Sequence, residues 1–256
     1  LETYETHRRD EGVKLVSLSK EMGTLKNFLE YCARVELVNE NLPDKVVPPD
    51  VPAEAQVDKT RLHTDDAKAL LDYYADHDYG SRAHALLALE WYVGARLGGI
   101  RGLDLSDYDS DREYLQFLHR PDEDCPLKNG PDGERAVGLP GKVCDILDAY
   151  IEQNRHPSHD DYGRRPLLTS QVGRPSENSI RAWTYLATTP CLHSPCPHGN
   201  DPETCDWLDY TTASQCPSSR SPHQVRTGSI TWQLNRGVPI EVVAKRVNTS
   251  VRVLRR

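Results

Sequence analysis

Four basic side chains in three separate stretches of the sequence have the types and spacing needed for chemistry on an anion. The stretch GARLGGIRGL contains Arg96, LKNGPDGER contains Lys128, and HQVR contains His223 and Arg226. A guanidinium binds anionic oxygens in a bidentate way and keeps its charge. An imidazole exchanges protons near neutral pH. Together these residue types suit the binding of an anion combined with proton transfer.

Taken singly, each of these residues has an ordinary explanation. Arg96 follows a helix and is compatible with a surface charge or a cap. Lys128 lies in a polar turn and is compatible with a solvated loop lysine. His223 follows a proline and is compatible with a helix cap. The functional interpretation therefore depends on the whole set occurring in this order.

The elements that must position the four residues are mainly helices. Thr64 is a suitable N-cap with acids in the first turn, and a second helix is predicted over about 81–93, broken by Gly94. Short strands are predicted at 114–120 and 135–140, around the loop that carries Lys128. Amphipathic helices follow around Val143–Ile151, after Ser176 as N-cap, and over 223–234.

The first part of the chain reads as a separate region. Apolar residues at helical spacing predict one helix over 16–38. Residues 41–60 contain four prolines and many polar side chains, which is typical of an extended linker. We therefore predict a domain boundary, with a partial helical domain at 1–42, a linker at 43–60 and a second domain at 61–256.

Composition and charge limit the classes of function. The 256-residue chain has a formal net charge of −8 and no apolar run long enough for a membrane span. Its N-terminal residues do not resemble a signal peptide. The acidic balance fits an ordinary soluble protein, or a cytoplasm of high salt. After Asp209, however, eight basic residues accompany one acidic residue, so this region can face phosphates.

The ordered motifs resemble those of the tyrosine recombinase (phage integrase) family, of the XerC/XerD-like kind and of haloarchaeal type. The Gly-x-Arg-Leu pattern at Arg96 resembles the family's first arginine motif, and His223-x-x-Arg226 followed by IEVVAKRVNTS resembles the second. Lys128 lies between two strands that end in a Val-x-Leu-Pro element, as in that family. The resemblance covers roughly residues 60–256 and implies a mainly α catalytic domain with a small antiparallel β-sheet. It implies that the helix before the linker is part of a core-binding, DNA-binding domain.

The resemblance also implies roles in DNA strand transesterification. Arg96 and Arg226 would hold the non-bridging oxygens of a scissile phosphate, and Lys128 would donate a proton to the leaving 5′ oxygen. His223 would act as general acid or base. A tyrosine would attack to form a 3′-phosphotyrosine intermediate. No catalytic cofactor is implied. The expected partner is double-stranded DNA, bound as a tetramer on two sites, in the cytoplasm.

The sequence departs from the family pattern in two places. Where the family has a Gly-His pair, this chain has Asn248-Thr249, which could donate a hydrogen bond but not act as a general acid. Counting from Arg226 places the nucleophilic tyrosine two positions beyond Arg256. The sequence is therefore expected to be a fragment that stops before its nucleophile.

A cysteine-rich insert at 190–220 precedes His223. Its cysteine and histidine side chains are suited to tetrahedral zinc, although their spacing matches no standard zinc finger. The predicted structural zinc ligands are Cys196, His198, Cys205 and Cys216, with Cys191 and His193 as substitutes. The alternative is free thiols in a loop. A metal would fix the segment that leads to His223 and Arg226, and it would take no part in catalysis.

The sequence thus favours a site-specific recombinase or integrase. The main alternative is a catalytically inactive homologue that binds DNA and occupies or regulates recombination sites. A zinc-stapled interaction module and a type IB topoisomerase, which uses the same cleavage chemistry as a monomer, also stay open.

Overall fold

The computed structural model of the chain describes residues 2–52 and 59–255 and divides into two compact units, 1–60 and 61–256. Part of the predicted linker, residues 53–58, and Arg256 lie outside the described residues. The identity of the first unit as a core-binding domain stays a prediction.

The first unit contains two helices, α1 (Glu2–Asp10) and α2 (Leu15–Arg34). The sequence predicted one helix here, over 16–38; α1 was not predicted. Arg8 of α1 forms an ion pair with Glu21 of α2, with 2.8 Å between Nη2 and Oε1. Leu18 and Met22 are buried against Val46 of the following segment.

The second unit is helical around a small sheet. Its helices are α3 (Thr64–His77), α4 (Arg82–Val93), α5 (Leu97–Arg101), α6 (Gly141–Ala149), α7 (Glu177–Ala187), α8 (Pro222–Asn235), α9 (Ile240–Arg246) and α10 (Val251–Leu254). A π-helical turn, Tyr150–Asn154, continues α6. The predicted N-cap at Ser176 is confirmed, because its side chain accepts a hydrogen bond from the Ser179 N–H. Thr64 is instead the first residue of α3, after His63 as N-cap.

The sheet is antiparallel and has the order β1-β2-β3, with β1 at Tyr108–Asp109, β2 at Tyr114–Phe117 and β3 at Arg135–Gly138. Leu115 pairs with Val137 in the register of β2 and β3. Both predicted strands exist but are shorter than expected. Beyond β2 the chain turns away, and Arg120 reaches back to Asp107 with 2.6 Å between Nη2 and Oδ1.

Helix α4 lies at the centre of the second unit. Every residue from His84 to Trp91 is buried, so the helix has no solvent-facing side over this length. Ser81 caps its N-terminus and Gly94, with a φ of 65°, ends it. The helices α3, α6, α7 and α8 all pack against α4. The fold class predicted from the sequence is confirmed.

No helix among the described residues combines the length and the apolar character that crossing a bilayer requires.

Candidate functional site

Arg96 is positioned by the break between α4 and α5. At Gly94 the left-handed backbone requires glycine, and a Cβ there would stand 2.8 Å from Ser229 Oγ. Two residues later, Arg96 is the N-cap of α5. Its Nη1 donates a hydrogen bond to the carbonyl oxygen of Asn248 at 2.6 Å. The first arginine motif is thus joined to the turn after α9.

Arg226 reaches the same turn from α8. A capping box formed by Ser221 and Gln224 starts this helix, which fixes the position of Arg226 in its second turn. Arg226 is buried, with 5% of its surface exposed. Its Nη1 donates to the carbonyl oxygen of Val247 at 2.7 Å and to that of Gly94. Arg96 and Arg226 therefore bind consecutive carbonyl groups and converge from distant parts of the sequence.

Two further arginines, which the sequence analysis did not select, join this pair. Arg135 of β3 donates from Nε to the carbonyl oxygen of Arg246 at 2.7 Å and stacks over the ring of Phe117. Arg246, at the end of α9, donates from Nη2 to the Tyr92 carbonyl oxygen at 3.0 Å. We call Arg96, Arg135, Arg226 and Arg246 the arginine pocket. One sequence signal could have pointed to Arg135: it is the first basic residue after Lys128, at the start of β3.

The electrostatics of the arginine pocket are those of crowded positive charges. Burial, followed by the charges of Arg96 and Arg135, lowers the pKa of Arg226 to about 9. Burial, followed by the charges of Arg96 and Arg246, lowers the pKa of Arg135 to about 10. Both groups are still protonated at neutral pH. Burial and mutual repulsion of the guanidiniums thus disfavour their charged forms.

No carboxylate compensates this charge. In the described parts of the chain, no Asp or Glu oxygen comes within 4.0 Å of a nitrogen in any of the four guanidinium groups. Buried charges are usually paired, because removing them from water is costly. The backbone carbonyls orient these arginines without neutralising them. The arrangement is therefore suited to an external anion with several oxygens, such as a phosphate group.

Lys128 lies on an exposed turn between β2 and β3. The turn is closed by a hydrogen bond from Gly130 N–H to the Leu127 carbonyl oxygen at 2.9 Å. The next residue, Asn129, donates from Nδ2 to Asn248 Oδ1 at 2.8 Å. The loop of Lys128 is thus tied to the same turn that binds Arg96 and Arg226.

His223 lies in the first turn of α8, three residues before Arg226. Residues three apart lie on the same side of a helix. The His223 side chain is exposed, whereas that of Arg226 is buried. The structure therefore brings Arg96 and Arg226 together and places the elements carrying Lys128 and His223 next to them.

The cysteine-rich insert is held by local contacts instead of an assembled metal site. Backbone N–H groups, first that of His198, point at the Cys196 sulfur and lower its pKa. The Cys191 thiol also interacts with this sulfur. His198 Nε2 is 3.0 Å from Ser218 Oγ, and its ring stands edge-on to Trp207.

Across residues 2–52 and 59–255, no group of three or more cysteine, histidine or acidic side chains is arranged to hold a metal ion. The predicted zinc ligands Cys196, His198, Cys205 and Cys216 are therefore not assembled as a set. Zinc binding stays a prediction.

No family model matches the sequence. The chain is similar to tyrosine recombinase XerD of Proteus mirabilis, with 23% identity over 247 residues, which covers 95% of this chain and 67% of the relative.

Solved structures resemble the chain over nearly its whole length. The XerA recombinase crystal structure has a TM-score of 0.54 and 17% identity, covering 98% of this chain and 74% of that one. The Tn1549 transposon integrase, in complex with a circular intermediate DNA, has a TM-score of 0.63 and 14% identity, with coverages of 98% and 77%. A lambda integrase tetramer bound to a Holliday junction has a TM-score of 0.61 and 12% identity, with coverages of 96% and 62%.

The fold is thus that of the tyrosine recombinases. The sequence is similar to that of a tyrosine recombinase, and the fold is the one found in solved recombinase and integrase structures.

Proposed function

We propose that this chain is the DNA-cleaving part of a site-specific tyrosine recombinase or integrase. The observation that carries the proposal is the arginine pocket: one buried and three half-buried guanidiniums converge from α5, β3, α8 and α9, with no carboxylate partner in the described part of the chain. A pentavalent phosphorane has more negative charge than the phosphodiester from which it forms. A pocket with uncompensated positive charge therefore stabilises the transition state more than the ground state.

Each predicted residue has one role in this mechanism. Arg96 and Arg226 hold the non-bridging oxygens of the scissile phosphate. A tyrosine hydroxyl attacks the phosphorus, the bond from phosphorus to the 5′ oxygen breaks, and the product is a 3′-phosphotyrosine. Lys128 gives its proton to the leaving 5′ oxygen, and His223 exchanges a proton as general acid or base.

The likeness to DNA-bound proteins supports duplex DNA as the substrate. The similar Tn1549 integrase and lambda integrase structures are complexes with DNA, and the latter includes a tetramer on a Holliday junction. We infer that this chain acts on DNA in the same way, as a tetramer on two sites, and hence in the cytoplasm where the DNA is. Residues 1–42 would then be part of a core-binding domain that also binds the duplex.

A second candidate function is a DNA-binding homologue that does not cleave. The observation that favours it is the Asn248-Thr249 pair in the slot where the resemblance predicts Gly-His. An amide or a hydroxyl can hold a phosphate oxygen but cannot exchange a proton near neutral pH. Such a protein would keep its affinity for DNA and lose the reaction.

A suicide substrate separates these functions. The full-length protein is incubated with a nicked DNA duplex that traps the covalent intermediate. We expect a protein–DNA adduct, and we expect Arg226→Ala to reduce its rate of formation by about 1,000-fold or more. DNA binding without an adduct would favour the non-cleaving homologue, and no salt-dependent binding at all would favour an interaction module. Relaxation of supercoiled DNA by a monomer would indicate a topoisomerase.

A further inference from the structure

Asn248 occupies the turn that joins the two arginine motifs. Its φ of 55° lies in the left-handed region, which asparagine tolerates better than most residues. Its backbone carbonyl oxygen accepts from Arg96 Nη1 at 2.6 Å, and the preceding carbonyl of Val247 accepts from Arg226 Nη1 at 2.7 Å. The backbone of this turn therefore orients both guanidiniums.

The side chain of Asn248 makes a different connection. Its Oδ1 accepts a hydrogen bond from Asn129 Nδ2 at 2.8 Å, between residues 119 positions apart. Asn129 and Lys128 are the two central residues of the turn closed between Leu127 and Gly130. The Cα atoms of neighbouring residues are about 3.8 Å apart, so this bond fixes the backbone from which Lys128 extends.

The far end of the same loop also packs against the Asn248 amide. A Cβ at Gly133 would stand 2.7 Å from Asn248 Nδ2, closer than a real contact permits. On the near side of the turn, Leu127 N–H donates to His119 Nδ1 at 2.9 Å. The amide of Asn248 thus lies between the turn of Lys128 and the return of the loop towards β3.

Lys128 needs such an anchor. Its side chain is exposed, and a lysine has a long flexible chain that loses conformational entropy when it is held in one place. A general acid works only when its proton lies within hydrogen-bond reach of the leaving oxygen. A fixed turn reduces the volume that the Lys128 ammonium group explores.

We propose that Asn248 is a positioning residue for Lys128: through its amide contact with Asn129 it places the lysine turn against the arginine pocket. The inference rests on the proposed function and extends it, because it assigns a task to the residue that departs from the family pattern. The same asparagine orients Arg96 through its backbone and positions Lys128 through its side chain. Asn248 therefore sets the distance between the arginine that binds the phosphate and the lysine that protonates the leaving oxygen.

Two substitutions separate the side chain from the backbone of this turn. Asn248→Gly keeps the left-handed conformation and the carbonyl group that binds Arg96 but removes the amide. Asn129→Ala removes the other half of the hydrogen bond. Asn235→Ala, at an exposed site at the far end of α8, is a matched control for loss of an asparagine.

The test compares two leaving groups in the protein that includes the nucleophile. One DNA substrate has the ordinary 5′ oxygen at the cleavage site, and the other has a 5′-bridging sulfur, which leaves as a thiolate without needing a proton. We expect Asn248→Gly and Asn129→Ala to cleave the oxygen substrate about 10- to 100-fold more slowly than the parent. We expect both to cleave the sulfur substrate within about 2-fold of the parent rate.

Lys128→Ala should show the same pattern with a larger loss, about 100-fold or more on the oxygen substrate. Adding Asn248→Gly to Lys128→Ala should then cost nothing further, because both changes act on one proton transfer. Asn235→Ala should behave as the parent on both substrates.

Other outcomes would overturn the inference. Equal slowing on both substrates would mean that Asn248 acts only through the arginines or the fold. No slowing, with a parent that cleaves, would remove Asn248 from the mechanism and leave the proposed function intact. A parent that forms no adduct with either substrate would overturn the proposed function, and this inference with it.

Discussion

Two groups of buried or half-buried arginines in the second unit differ in the presence of carboxylates. In the arginine pocket, all four guanidiniums donate to backbone carbonyls, and within the described residues none has a carboxylate partner. A second group, which we call the paired network, joins Arg120, Arg164 and Arg174 to acidic partners.

The paired network is neutralised from within the chain. Arg174 contacts Asp160 with 2.9 Å between Nη2 and Oδ2, and it also contacts Asp104. Arg164 Nη2 lies 3.1 Å from Asp160 Oδ2. Burial raises the pKa of Asp160, but hydrogen bonds from Arg164 and Arg174 outweigh it and hold that pKa below its usual value. This network ties the residues after α5 to the segment before α7.

The difference between the two groups indicates which of them is suited to bind an external anion. Both groups are made of the same residue type and each is at least partly buried, so arginine content alone does not mark a site. A buried charge that the chain leaves uncompensated lowers stability. Such a charge fits a group that acts on a ligand, whereas the paired arginines fit a structural role.

The largest expected effect is on the free energy of unfolding, when one arginine of each group is replaced by alanine. Arg174→Ala should destabilise the protein by about 3–5 kcal/mol, because it leaves buried aspartates short of a partner. Arg226→Ala should destabilise it less, since the loss of hydrogen bonds to Gly94 and Val247 is offset by removal of an uncompensated charge. Urea unfolding of both variants measures this.

Affinity for DNA should show the reverse order. Arg226→Ala should weaken binding about 10-fold or more at fixed salt, and folded Arg174→Ala should bind as the parent does. Fluorescence anisotropy with a labelled duplex measures the affinity. The contrast between the two groups is wrong if Arg174→Ala is the variant that loses DNA binding while remaining folded.

Glu90 is the converse case: a buried carboxylate with no arginine within ion-pair distance in the described part of the chain. Glu90 of α4 is fully buried, with Thr184 Oγ at 2.9 Å from Oε1 and no hydrogen-bond partner for Oε2 in the described structure. Burial raises its pKa to about 8. In the unfolded chain this group ionises near pH 4.5, so stability should fall as pH rises from about 4.5 to about 8.

Glu90→Gln should remove this pH dependence. The unfolding free energies of the two proteins should diverge with rising pH by about 1.4 kcal/mol per pH unit over that window, in favour of the glutamine variant, and level off above it. Denaturant titrations at pH 5, 7 and 9 give the result. A constant difference between the proteins at all three pH values would contradict the raised pKa.

The smallest expected effect is stabilisation of the arginine pocket by a simple oxyanion. Sulfate at ten times its dissociation constant should stabilise the chain by about 1.4 kcal/mol. Sulfate also stabilises proteins in general, by exclusion from their surfaces, so the informative quantity is the difference from Arg226→Ala in the same salt. Equal stabilisation of both proteins would show that the pocket does not bind the anion.

Much of the fold could be predicted from local sequence. The helix ended by Gly94, the cap at Ser176 and the helix that carries His223 and Arg226 each follow from short-range signals. The shorter strands and helix α1 could not, because strand ends depend on side chains far away in sequence, such as Arg120 reaching Asp107. The high-salt origin, the zinc site and the nucleophile beyond Arg256 stay predictions.

Some residues of the candidate site could also be selected from the sequence, and others could not. Arg96, Lys128, His223 and Arg226 could be selected from the sequence, because their residue types and order resemble a known pattern. Arg135 and Arg246 lie in segments that the sequence analysis noted, but they were not selected, because their proximity to Arg96 and Arg226 depends on carbonyl contacts between distant parts of the chain. Asn248 was noted only as a departure.

By itself, the sequence determined the helical class of the fold, the order of the motifs and the chemical types available to the site. The tertiary structure alone decided which arginines are paired and which are not. The reason is physical: a guanidinium has the same charge wherever it lies in the chain. Whether that charge is neutralised depends on which carboxylates the fold brings within a few ångströms, and here those carboxylates surround Arg174 and are absent from the vicinity of Arg226 in the part of the chain that the structure describes.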